Sequence, residues 1–174
     1  MAKFMKVLIF TAMTFAVSSS VAVAQEKPES PAFTLTLSAK TAKVDLGKDI
    51  WITIVMTNIS EQVIDCSFWA EHNGVNHAYK YDVRDEQGNM TEKRVLSRSH
   101  PEIAPSGASY SCKLEAGKSN KWELAINDVH QFDHPGDYTI QVSRLAGVKP
   151  ADGYIKSNTI TVTLLPKPEA DEPK

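Results

Sequence analysis

Ile50-Trp51-Ile52-Thr53-Ile54-Val55-Met56-Thr57 is the stretch that decides the fold. Ile50, Ile52, Ile54 and Met56 fall on one side of a period-two repeat. Trp51, Thr53, Val55 and Thr57 fall on the other. Successive side chains of a strand point to opposite faces, so the pattern predicts a strand with one aliphatic face against a core. Working outward, the same alternation recurs in Phe33-Leu35-Leu37, Tyr79-Tyr81-Val83, Trp122-Leu124-Ile126, Tyr138-Ile140-Val142 and Ile160-Val162-Leu164. Val63 to Trp69 is expected as one more strand, and Thr91 to Leu96 as a weaker one.

Turn chemistry separates these runs. Val44-Asp45-Leu46-Gly47, Asn58-Ile59-Ser60-Glu61, Asp85-Glu86-Gln87-Gly88-Asn89, Glu115-Ala116-Gly117-Lys118 and Pro135-Gly136 all have turn composition. No window after the first two dozen residues sustains a 3.6-residue period; the best helical candidate is a single turn around Asp128 to Phe132. About eight to ten short strands at near-regular spacing predict an all-β sandwich, with a closed barrel as the alternative. Tyr138, just after Pro135-Gly136, stands where immunoglobulin-like folds place a tyrosine that bonds back to upstream backbone. The fold class expected is therefore an immunoglobulin-like antiparallel β-sandwich.

The first residues carry an address. Lys3 and Lys6 precede an apolar run from Val7 to Val17, and Ala22 and Ala24 are small residues at the −3 and −1 positions of a cleavage site. The run is shorter than the roughly 20 residues a membrane span needs. Residues 1–24 are thus expected to be a signal peptide and residues 25–31 a flexible leader. Residues 32–165 are expected to form the domain, and the polar, proline-rich residues 166–174 a disordered tail. The expected localisation is secreted or periplasmic. Without the signal peptide the chain keeps 17 of its 19 Lys and Arg against 21 Asp and Glu, a formal charge of −4. That balance argues against a nucleic-acid partner, which calls for a basic face. Two cysteines in an exported chain favour a Cys66–Cys112 disulfide over two buried thiols or an intermolecular bridge.

Two stretches resemble a known family. They are Met56-Thr57-Asn58-Ile59-Ser60 with Tyr79-x-Tyr81-Asp82-Val83-Arg84-Asp85-Glu86-x-Gly88, and Leu114-x-x-Gly117-x-Ser119-x-x-Trp122-x-Leu124 with Pro135-Gly136-x-Tyr138-Thr139. Together they are similar to the BsuPI-type intracellular proteinase inhibitor domain over roughly Thr53 to Val142. The resemblance implies an immunoglobulin-like sandwich and a protease-inhibiting activity. The chain departs from that family in its signal peptide and its cysteine pair. It also lacks the Trp-Ser and Phe-Thr-Gln signals expected after Asn89.

Catalytic motifs are sparse. There is no Gly-x-Ser-x-Gly and no phosphate-binding glycine loop, and Ser97, Ser99 and His100 are adjacent only in sequence. His72 and His77 with Glu71 are weak metal candidates, as are His130 and His134 with Asp133, because no pair has tight ligand spacing. Asp82, Asp85 and Glu86 fit solvated turn carboxylates better than a calcium loop. Trp122 is assigned to the core, Trp51 to an outer face or a second layer, and Trp69 to a loop edge. No cofactor is expected and the chain is read as a non-enzyme.

Recognition is assigned to two long irregular stretches, Ser97 to Ser109 and Leu145 to Tyr154, because sandwiches carry binding sites on end loops. The residues singled out there are Arg98, His100, Pro101, Glu102, Ile103, Val148, Lys149 and Tyr154. The expected function is an exported binding module with a protein partner, a protease being the class the resemblance suggests. The alternative is a metal- or carbohydrate-binding accessory protein of the cell envelope.

Overall fold

The structure, a computed structural model, describes residues 31–71, 75–94, 107–147 and 150–168. Twelve strands lie among them. They are β1 (Phe33–Ala39), β2 (Lys43–Asp45), β3 (Trp51–Asn58), β4 (Ile64–Asp65), β5 (Phe68–Glu71) and β6 (Tyr79–Arg84), followed by β7 (Gly107–Tyr110), β8 (Lys113–Leu114), β9 (Ser119–Ala125), β10 (Gly136–Leu145), β11 (Tyr154–Lys156) and β12 (Ile160–Leu165).

The deciding stretch is the middle of one sheet. β3 pairs antiparallel with β1, placing Ile54 opposite Leu37, and with β9, placing Ile54 opposite Trp122. The second sheet is centred on β10. One edge of β10 pairs with β6, and the other is shared by β12 (Gly136 to Ile140) and β11 (Ser143 to Leu145). The orders β1-β3-β9 and β6-β10-β12 are those of strands A-B-E and C-F-G in an immunoglobulin-like sandwich. Two short pairs, β4 with β8 and β5 with β7, are added beside the main sheets.

The core lies between the sheets and follows the period-two pattern. Phe33, Leu35, Leu37, Ile52, Ile54, Met56 and Leu124 come from the first sheet, and Val83, Tyr138, Ile140, Val142, Val162 and Leu164 from the second. Each is buried because alternation puts every second residue on the inner face. The Tyr138 hydroxyl donates to the carbonyl of His134 at 2.9 Å, which is the tyrosine corner expected at the start of β10. Cys66 and Cys112 are joined by a disulfide across 46 residues, with their Cα atoms 4.8 Å apart.

Several local expectations are corrected. Lys43-Val44-Asp45 is a strand rather than a turn, running parallel to β12 at Thr163-Leu164-Leu165. Val44 is buried by that pairing, and the turn begins only at Leu46. The strand expected from Val63 to Trp69 is broken at Cys66-Ser67, where the chain crosses to the disulfide. Of Thr91 to Leu96, the described residues Thr91 to Arg94 form no ladder; Lys93 makes one isolated bridge to His130. The helical turn is a 3₁₀ turn at Ile126–Asp128, slightly earlier than expected. The last residues of the Ser97–Ser109 loop, Gly107 to Ser109, belong to β7 and pair with β5.

Candidate functional site

Of the residues singled out for recognition, Arg98, His100, Pro101, Glu102, Ile103, Val148 and Lys149 lie outside the described residues, as does His72. What the structure describes is the pair of stems that carry the two loops, together with Tyr154 and His77.

The stem of the first loop is β7 on β5. Gly107 pairs with Glu71, and Ser109 with Trp69. A side chain at Gly107 would run into the Trp69 ring and the carbonyl of Ala70, so only glycine lets this stem close over the indole. The Trp69 ring also meets the imidazole of His77, with centroids 4.7 Å apart. His77 is fixed twice more: its backbone N–H donates to the Trp69 carbonyl at 3.0 Å, and its Nε2 lies 2.8 Å from Glu71 Oε1. Trp69 therefore packs under the first stem and is half-buried.

The second stem is the β10–β11 pair, where Leu145 is opposite Tyr154. Gly147 is its counterpart of Gly107, because a side chain there would collide with the Asp152 carboxylate. Tyr154 is 41% exposed and carries the Lys80 ammonium 3.8 Å from its ring centroid, a cation–π contact. Arg144 donates to the Ser67 carbonyl at 3.1 Å and lies over the Tyr79 ring.

The second stem lines a cavity of about 650 Å³, whose lining includes Asp65, His77, Lys80, Arg144, Leu145 and Tyr154. A second cavity, of about 320 Å³, shares His77 and Lys80 and is also lined by Glu71, Asn76, Tyr81 and His130. Charges at this end are mixed. Lys113, at 2.8 Å, and hydrogen bonds from Ser67 hold the Asp65 carboxyl far below the usual carboxylate range. Burial pushes the Tyr81 hydroxyl up, so it remains a phenol that donates to the Asn76 carbonyl at 3.2 Å. Cations, two engaged carboxylates (Asp65 and Glu71) and half-exposed rings are chemistry for gripping a peptide's backbone and side chains.

The described histidines, His77, His130 and His134, do not assemble as ligands. His77 is paired with Glu71, and His134 contributes its carbonyl to the tyrosine corner. His130 is fully buried, with Nδ1 at 2.8 Å from Thr91 Oγ1. Burial lowers its pKa, so it is neutral in the fold. Among the described residues, no three His, Cys, Asp or Glu side chains come together around one position. The Thr91–His130 pair has the atoms of a hydroxyl nucleophile and its base, but Thr91 also bonds the Val83 carbonyl and His130 has no access to solvent. Asp82 and Asp85 are likewise engaged locally, Asp82 by Arg84 at 2.7 Å and Asp85 by the backbone N–H groups of Gln87 and Asn89.

Sequence reasoning missed Lys80, Arg144 and the two stem glycines. Lys80 was legible as the polar residue between Tyr79 and Tyr81 on β6, which alternation sends outward. The glycines carried no such signal, since what makes them necessary is a neighbour distant in the chain.

No protein-family model matches the chain, and no curated protein does. Solved structures share parts of its outline. A β-glucosidase from Erythrobacter marinus is similar at 13% identity and TM-score 0.40, over 76% of this chain and 15% of that one. An alkylpurine DNA glycosylase from Pseudomonas fluorescens is similar at 11% and 0.41, over 76% and 30%. BslA, a bacterial hydrophobin, is similar at 12% and 0.36, over 79% and 96%. The chain thus spans less than a third of the glucosidase and the glycosylase.

Proposed function

We propose that this chain is an exported, non-enzymatic recognition module that holds a protein partner, of the protease class, at the end of the sandwich where its two long loops are rooted. The observation that carries the reading is a pair of cavities that share His77 and Lys80, one lined also by Glu71 of the first stem and the other by Arg144, Leu145 and Tyr154 of the second. Loops rooted on paired strands lose less conformational entropy on binding than free ones, so a short segment can gain affinity from its scaffold. The protease class follows from the resemblance to the BsuPI-type inhibitor domain. Export is supported by the amino-terminal pattern around Lys3, Lys6 and Ala22-Val23-Ala24 and is compatible with the disulfide.

The test replaces Pro101-Glu102-Ile103-Ala104-Pro105 with a Gly-Ser stretch and titrates parent and variant against a panel of secreted serine proteases. Inhibition by the parent, weakened at least tenfold in the variant, is the expected result. A parent that inhibits none of the panel overturns the protease reading. Equal inhibition by both moves the contact to the Leu145–Tyr154 side of the cavity.

A further inference from the structure

The outer face of the three-stranded sheet has a different character. Its cross-strand rows are Thr34-Thr57-Ser119, Thr36-Val55-Lys121 and Ser38-Thr53-Glu123. Hydroxyls dominate, and Thr57 Oγ1 lies 2.8 Å from Ser119 Oγ. The next position of β3 on this face is Trp51, opposite Ala125. Trp51 is 44% exposed whereas Ala125 is buried. A single exposed apolar residue is unremarkable on a soluble surface, so the surroundings matter more than the exposure. Here they form a cavity of about 290 Å³ lined by Ser38, Lys40, Trp51, Thr53, Lys121 and Glu123. It shares no lining residue with the cavities at the loop stems.

The polar groups beside the indole are held in place. Glu123 Oε1 accepts from Lys121 Nζ at 2.6 Å and from Thr53 Oγ1 at 3.3 Å. Lys121 foremost, with Lys40 contributing, holds the Glu123 carboxyl below its usual range, so it is ionised at neutral pH. A carboxylate offers about four acceptor sites, and these two bonds use one oxygen. Lys40 is placed by its backbone N–H, which donates to the Trp51 carbonyl at 2.9 Å.

We propose that this cavity is a subsite for a neutral sugar ring of a glycan chain. A pyranose has an apolar C–H face and a rim of hydroxyls. The indole offers a flat apolar surface for the first, while Glu123, Lys40, Thr53 and Ser38 offer acceptors and donors for the second. An aliphatic ligand would strip water from Glu123 and Lys40 without replacing their hydrogen bonds, which is costly. Lys40 and Lys121 outnumber Glu123 in the lining, so a uronate is the competing occupant that the polygalacturonate gel is there to detect. The hydroxyl rows running on from the cavity give neighbouring sugars further partners along the same face.

Affinity electrophoresis of the full chain through gels containing laminarin, galactomannan, xyloglucan or polygalacturonate tests this. Retardation is expected in at least one neutral-glycan gel. Trp51→Ala should abolish it and Glu123→Gln weaken binding about tenfold, the cost of a charge-assisted hydrogen bond. Both positions are solvent-facing, so melting temperatures should match the parent's. The Gly-Ser variant of residues 101–105 should keep glycan binding, which separates this site from the loop end. No retardation in any neutral gel, retardation by polygalacturonate alone, or undiminished retardation of Trp51→Ala overturns the proposal.

Discussion

The corner at the end of β3 and the corner between β9 and β10 each bury one polar side chain completely, Asn58 and His130. At the first corner every hydrogen-bonding site is used. Asn58 Nδ2 donates to the carbonyls of Gln62 and Leu114 at 2.7 and 2.8 Å, and Oδ1 accepts from Ser60 N and Ser60 Oγ at 2.9 and 2.8 Å. The Cys66–Cys112 bridge closes two residues from Leu114. At the second corner His130 makes one good side-chain bond, to Thr91. Its buried Nε2 has no hydrogen-bond partner among the described residues. Burial is equal at the two corners and satisfaction is not. An amide satisfied on both sides locks a turn, whereas an imidazole satisfied on one side leaves stability tied to its protonation.

The largest expected effect is at the covalently closed corner. Cys66→Ala with Cys112→Ala should lower unfolding stability by about 4 kcal/mol, the loop entropy of a closure of this length. Urea denaturation of oxidised parent and double variant measures it, and a loss below about 1 kcal/mol would show that the corner stands on its hydrogen bonds alone. Next, Asn58→Ala leaves two carbonyls and a backbone N–H without their buried partner. It should cost about 3 kcal/mol in the same assay. Asn58→Ala no more destabilising than His130→Asn would break the contrast between the corners.

The smallest effect is the pH dependence of the second corner. The folded pKa of His130 is lowered by burial, with Lys93 adding to the shift and Thr91, Tyr81 and Asp82 opposing it. Below the unfolded value, near 6.5, the unfolded chain binds the proton more readily. The contribution of His130 is therefore complete above that pH and is lost as pH falls toward the folded value, with a slope of at most about 1.4 kcal/mol per unit. Denaturation midpoints between pH 7.5 and 5 should fall for the parent and flatten for His130→Asn. Identical slopes would assign the pH response to another group.

Period-two alternation made the central strands legible, because a one-residue slip would turn Ile52, Ile54 and Met56 out of the core. Tyr138 was legible for the same kind of reason, since its corner bond spans only four residues. β2 was not. Val44 and Asp45, read as turn residues, belong to a strand only because β12 presents a free edge to them. The break at Cys66-Ser67 was hidden likewise, as it answers to Cys112. At the candidate recognition end, Tyr154, His77, Glu71 and Trp69 could be named in advance, but not that Glu71 and Trp69 position His77. Glu71 and Trp69 lie six and eight residues away, brought alongside by β5. Sequence patterns report which face a side chain takes. They are silent about which distant group occupies the same face.

The parallel register of β2 on β12 has a consequence for the order of events during synthesis. The side chain of Asn158 holds both the N–H and the carbonyl of Leu37, 121 residues earlier, and β12 then pairs with β2 a few residues on. At a translation rate of about 5–20 residues per second, the amino-terminal strands wait on the order of ten seconds for these partners. Local hairpins cannot stand in for them, because neither contact is local. Until β12 emerges, β2 has no partner to join, whatever β1 and β3 do. That interval is a built-in delay, during which the chain is unfinished and within reach of whatever machinery handles unfolded polypeptide.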